Sequence, residues 1–221
     1  SALSGEDRII EFTFPLIDSK NYFPNDGSRI WIPGEVSFGE DYPLIIFLHG
    51  CQPPSGARNH LHFGDGQAND IIPIVDGLIE GGSVSPVILA APSQTGGNVE
   101  QGTGCSTNLW KDEFDFSDFF DEIESELPSG VGISEVSVVG HSGAGVNGGG
   151  IFSSIDELDV KYVGFFDTPN VGFNVENRVI TYSFYEDRIG SEEARKKIKS
   201  STHDEAISDG IELFLETFYG N

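Results

Sequence analysis

Five short, nearly unbroken apolar runs decide most of what this chain can fold into. They are residues 43–48 (PLIIFL), 84–91 (VSPVILAA), 136–139 (VSVV), 160–166 (VKYVGFF) and 179–185 (VITYSFY). Successive side chains of a strand point to opposite faces, so a strand apolar at nearly every position has to be covered on both sides. Pro86 has no N–H to give to a ladder, which puts it near the start of its strand. Two shorter strands precede these five: 8–14 (RIIEFTF), which alternates, and 28–32 (SRIWI), which ends at Pro33-Gly34.

Helical patterns fall between most of the runs. Over 115–127, Phe116, Phe119, Phe120, Ile123 and Leu127 share one face, and Asp118, Asp121, Glu122, Glu124 and Glu126 lie mostly on the other. Residues 204–218 repeat the pattern with Ile207, Ile211, Phe214, Leu215 and Phe218, and 191–200 read as a charged helix. Strands separated by helices make βαβ units and a parallel sheet with helices on both faces. The expectation is an α/β fold of about five parallel strands plus two amino-terminal ones. It forms a single domain over 1–221, without repeats or linker.

Charge removes several function classes. Thirty-six Asp and Glu face 12 Lys and Arg, a formal charge of −24. Neutralising nucleic-acid phosphates or docking on anionic lipid needs the opposite sign. No apolar run approaches the 18 or so residues of a membrane helix. The expected partners are therefore neither nucleic acid nor membrane. Charge of this size keeps a protein soluble by self-repulsion, and with only six Lys it reads as a salt-adapted surface. A chain that opens at Ser1 and holds no Met reads as processed, with any signal peptide removed, which points to a secreted or periplasmic protein. Cys51 and Cys105 permit one disulfide and no structural zinc site. His60 and His62 form an H-x-H pair near Asp65, without a third ligand at metal-binding spacing. No metal or cofactor is expected.

In open α/β sheets, ligands bind beyond the carboxyl ends of the strands. The residues that follow the buried runs are His49-Gly50-Cys51-Gln52, Pro92-Ser93-Gln94, Gly140-His141-Ser142-Gly143-Ala144, Asp167-Thr168-Pro169 and Glu186-Asp187-Arg188. VSVVGHSGAG carries most of the information. A nucleophilic serine on a tight strand-to-helix turn needs neighbours with almost no side chain, so that its Oγ projects outward. G-x-S triplets occur at 81–83, 104–106, 132–134 and 140–142, so the triplet alone is weak. Only the last has Gly or Ala two places beyond the serine, and only it follows an all-apolar strand.

Such a serine needs a base. His49 is better read as bracing its turn, and His141, beside the serine, as pointing away from it. His203 opens the terminal helix, where a loop can present an imidazole. The acid that orients it is Asp187, just past the last apolar strand, with Asp167 and Glu186 as rivals.

The succession RIWIP, YPLIIFLHGCQ, VILAAPSQ and VSVVGHSGAG resembles the α/β-hydrolase superfamily. Its HGC turn looks like that of the feruloyl esterase and polyhydroxybutyrate depolymerase branch. The resemblance covers residues 29 to about 203. It implies Ser142 as nucleophile, His203 as base, Asp187 as acid, in the superfamily's chain order, and the N–H groups of Gly143 and Cys51 as oxyanion hole. Ala144 stands where the motif usually has Gly. No strand is evident between Asp187 and His203, so the core is expected to be of compact, cutinase-like size. The connection 168–178 is too short for a lid, which leaves a site open to a small or polymeric ester. Cys51 and Cys105 lie on the two long loops beside it. The implied function is a serine esterase without cofactor. An amidase or peptidase using the same triad, or a catalytically silent binding protein, remain as alternatives.

Overall fold

The apolar runs become the centre of one eight-stranded sheet. The protein was analysed as a computed structural model, which describes residues 5–12, 14, 28–50, 63, 70–92, 115–145, 155, 158–168, 180–185 and 196–221. The strands are β1 (Arg8–Phe12), β2 (Ser28–Ile32), β3 (Glu40–Leu48), β4 (Ile88–Ala91), β5 (Val131–His141), β6 (Val160–Phe166), β7 (Ile180–Phe184) and β8 (Lys196–Lys199). Their spatial order is β1-β2-β4-β3-β5-β6-β7-β8. β1 pairs antiparallel with β2, and β2 with β4. Every other neighbouring pair is parallel. This is the α/β-hydrolase fold, with a mostly parallel sheet.

β3 shows why the sheet needs both faces covered. Leu44, Ile46 and Leu48 belong to one apolar cluster, together with Phe116, Phe119 and Ile123 of helix α2 (Phe116–Glu126). Ile45 and Phe47 belong to the other, with Val75 and Ile79 of α1 (Ile72–Glu80) and Ile207, Ile211, Phe214 and Leu215 of α3 (Glu205–Phe218). All five β3 side chains are fully buried. Each contributes on the order of 1.5–3 kcal/mol relative to exposure, which makes the two-sided pattern the main determinant of the architecture.

The helices start where local chemistry allows. Asp115 accepts the N–H of Asp118 at 3.0 Å to cap α2. Thr202 Oγ1 accepts the N–H of Glu205 at 3.1 Å at the head of α3, just past His203. The body of α3 lies close on the sheet. A Cβ on Gly210 would meet Phe166 Cδ1 at 2.3 Å and Ser183 Oγ at 2.5 Å. Only glycine permits that approach.

Two elements differ from the sequence expectation. Helix α1 lies within a stretch read only as a long connection; Pro73 in its first turn is compatible with a helix start. Residues 196–199 form a strand, not part of a charged helix, and pair with Thr181–Phe184 of β7. All four are exposed. β8 is therefore an edge strand held by backbone bonds, with lysines of the kind that keep an edge from pairing further. It has no apolar periodicity because it has little to bury. It supplies the strand before His203 that the sequence did not reveal, so the parallel part of the sheet has six strands rather than five. Among the described residues no helix is long and apolar enough to cross a membrane.

Candidate active site

The chain after β3 leads through α1 to β4 on one side, whereas the chain after β5 leads to β6 on the other. Between the carboxyl ends of β3 and β5 the connections therefore part, which is where open α/β sheets bind ligands. Gly50 follows β3 and Ser142 follows β5. A Cβ on Gly50 would lie 2.8 Å from Ser142 Cβ and 3.1 Å from the His141 carbonyl oxygen. The missing side chain lets the backbone at Gly50 rest directly against the serine.

Ser142 begins a short 3-10 turn, Ser142–Gly145, immediately after β5. Its φ is +51°, and that of Asp167, the first residue after β6, is +41°. Among the described residues these are the only non-glycine residues with positive φ. Such a conformation costs on the order of 1–3 kcal/mol and persists only where surrounding contacts enforce it. Those contacts are present. Thr168, fully buried, donates its hydroxyl to the Ser142 carbonyl at 2.5 Å. The Asp167 N–H donates to the Ser183 carbonyl at 2.8 Å.

Asp167 is fully buried and holds Nδ1 of His203 in a short hydrogen bond. Its other carboxylate oxygen accepts the N–H of Tyr185 at 3.1 Å. A carboxylate on Nδ1 places the imidazole proton there and leaves Nε2 with its lone pair, the tautomer a general base requires. The His203 side chain remains 36% exposed, so a solvent-reachable imidazole is oriented by a buried acid. His141 packs its ring on that of His203, with centroids 4.5 Å apart, and its Nε2 lies 3.1 Å from the His203 carbonyl oxygen.

His49 is buried, and its Nδ1–H donates to the Gly50 carbonyl at 2.7 Å. Burial pushes its pKa down to about 4, against the upward pull of that hydrogen bond, so the ring is neutral near pH 7. It braces the turn, as the sequence indicates.

The structure thus joins His203 to Asp167, a rival of Asp187 in the sequence reading, and sets the His141–Ser142 turn beside them. Gly143 follows Ser142 and is buried. Asp187, Glu186, Cys51, Cys105, His60 and His62 lie outside the described residues. The imidazole nitrogen that Asp187 was expected to hold is occupied by Asp167. Chain order could not separate the two, because both lie between Ser142 and His203. Sheet order does, because Asp167 directly follows the strand next to β5. Thr168 and His141 received no site role from the sequence. Their one signal was adjacency to Asp167 and Ser142. Among the described residues no group of three or more His, Cys, Asp or Glu side chains could hold a metal ion.

Solved esterases share this architecture. A ferulic acid esterase superimposes with a TM-score of 0.61 at 14% identity, covering 96% of this chain and 97% of the other. The CE1 ferulic acid esterase of Anaeromyces mucronatus, in complex with ferulic acid, gives 0.53 at 13% identity, over 96% and 89%. The feruloyl esterase module from Clostridium thermocellum, complexed with sinapinate, gives 0.52 at 15% identity, over 83% and 69%. No protein-family model matches the sequence, and no curated protein does. At these identities the likeness defines the class of fold, an α/β-hydrolase one, and the chain is similar to feruloyl esterases within it.

Proposed function

We propose that the protein is a serine hydrolase that cleaves carboxylic esters through an acyl-enzyme, with Ser142 as nucleophile, His203 as base and Asp167 as the orienting acid. The observation that carries this reading is the buried Asp167 carboxylate on Nδ1 of a partly exposed His203, beside a serine held at φ +51° after a central strand. Ser142 Oγ attacks the ester carbonyl as His203 Nε2 takes its proton. The imidazolium then gives that proton to the leaving alcohol. Water, deprotonated by the same nitrogen, attacks the acyl-enzyme and releases the acid and the free serine. The N–H groups of Gly143 and Cys51 receive the developing oxyanion, and the approach of Gly50 to Ser142 supports a donor from that turn.

The substrate class we favour is an ester of an aromatic hydroxycinnamate-type acid, presented to an open, lidless site and carried by a small alcohol or a polymer. One solved neighbour is in complex with ferulic acid and another with sinapinate, which supports this choice. The net charge of −24 supports a secreted or periplasmic setting, including a saline one.

The test is fluorophosphonate labelling with peptide mapping, and hydrolysis of p-nitrophenyl acetate, p-nitrophenyl butyrate and methyl ferulate, on wild type and Ser142→Ala. Label on Ser142, with turnover lowered on the order of 10⁴-fold or more in the variant, is expected. An unlabelled protein that hydrolyses none of the three esters would overturn the reading in favour of a silent binding protein.

A further inference from the structure

We infer that His141 is a positioning residue for the base: its Nε2–H clamps the backbone of His203 to the end of the strand that carries the nucleophile. The inference rests on the triad reading above and extends it to a side chain with no assigned role.

The need for a clamp follows from topology. Ser142 directly follows a central strand and Asp167 directly follows its neighbour, so both inherit the rigidity of the sheet. His203 instead sits in the short stretch between β8 and α3, and β8 is an exposed edge strand. The Asp167 bond fixes one ring nitrogen, but a ring held at one atom still swings about that bond. A second restraint on the residue itself determines where Nε2 points.

His141 supplies it in two ways. Its Nε2 lies 3.1 Å from the His203 carbonyl oxygen, and a carbonyl only accepts, so that nitrogen carries the proton and donates. Its ring also lies against that of His203, at 4.5 Å and 39°. With its proton on Nε2, the His141 atom that faces the His203 backbone is a donor rather than a base. It is 7% exposed and belongs to β5, so the clamp is anchored in the core. Thr168 makes the complementary tie from the residue after the acid to the carbonyl of the nucleophile. The residue before Ser142 thus holds His203, and the residue after Asp167 holds Ser142. Three strand ends are locked into one geometry, and a displacement of about 1 Å in such a geometry can cost on the order of 100-fold in rate.

The test compares His141→Phe, which keeps a ring but loses the donor, with His141→Gln, which loses the ring but can bring an amide N–H to a similar place. kcat and KM for p-nitrophenyl acetate, the fluorophosphonate labelling rate and Tm are measured on both, beside wild type and Ser142→Ala. In His141→Phe, kcat and the labelling rate should fall roughly 10- to 100-fold while KM stays within about twofold and Tm within a few degrees. His141→Gln should recover most of the loss. A kcat for His141→Phe within about twofold of wild type, with Ser142→Ala inactive, would overturn the clamp and leave the triad standing. So would a loss that tracks a fall in Tm and is not rescued by Gln. Wild-type turnover in Ser142→Ala would overturn the triad reading itself.

Discussion

Asp167 and His203 stand 36 positions apart in the chain and meet through Nδ1 of the imidazole. The pairing joins the end of β6 to the stretch before α3, and it sets the carboxylate that meets His203 at the strand beside the one that leads to Ser142. Replacing Asp167 by Asn keeps the shape but lets an amide present an N–H to Nδ1, which favours the wrong tautomer. Asp167→Asn should lower kcat by on the order of 10³- to 10⁴-fold, and Asp187→Asn should change it by less than about tenfold. Steady-state rates on p-nitrophenyl butyrate for both variants check this. The reverse ranking would restore Asp187 as the acid.

Thr168 gives its hydroxyl to the carbonyl of a serine held in a strained conformation. Thr168→Val preserves the shape and leaves that carbonyl without its buried donor, at a cost of about 1–2 kcal/mol. The expected Tm is about 2–8 °C lower, with kcat reduced as well. Thr168→Ser, which keeps the hydroxyl, should hold both closer to wild type. Calorimetry and ester turnover on the two variants measure it, and a Val variant as active as Ser would remove Thr168 from the elbow's support.

Gly50 leaves room for Ser142 by having no side chain. In Gly50→Ala, the new Cβ would sit 2.8 Å from Ser142 Cβ and 3.1 Å from the backbone oxygen of His141, so either the turn or the elbow has to move. The expected loss in kcat is about 100-fold or more, comparable to losing an oxyanion donor. A circular dichroism spectrum like that of wild type would show that the damage is local. Full activity in this variant would argue against an oxyanion donor from this turn.

His49 links stability to pH. Burial lowers its pKa from 6.5 to about 4, so below pH 6.5 the unfolded chain binds a proton that the folded one refuses. Its contribution is complete above pH 6.5 and is lost as pH falls toward 4, with a magnitude of about 3 kcal/mol at most. His49→Asn does not titrate there and can offer an N–H near the position of Nδ1. Urea midpoints at pH 7 and pH 4.5 should therefore differ less for the variant than for wild type. Equal shifts in the two proteins would show that His49 does not control this part of the acid limb.

Much of this was legible beforehand, for reasons particular residues make clear. Leu44 to Leu48 announced a strand buried on both faces because burial is written into residue type, and the structure places them between α2 on one side and α1 with α3 on the other. Phe116, Phe119 and Ile123 marked α2 by their spacing, and Ile207, Ile211 and Phe214 marked α3. The turn at Ser142 could be read because an elbow needs small residues at fixed offsets. Lys196–Lys199 was unreadable for the opposite reason. An exposed edge strand buries almost nothing, so backbone pairing with β7 forms it without an apolar pattern.

The sequence by itself determined the layered architecture and nominated Ser142, with Gly143 beside it, and His203. Hydrophobic periodicity and turn chemistry are local properties, and a local window contains them. Only the tertiary structure decided that Asp167 rather than another acid meets His203, that His141 turns toward His203, and that Thr168 reaches back to the serine. These contacts depend on which strands lie side by side, and strand order is set by the packing of the whole sheet rather than by any segment of it.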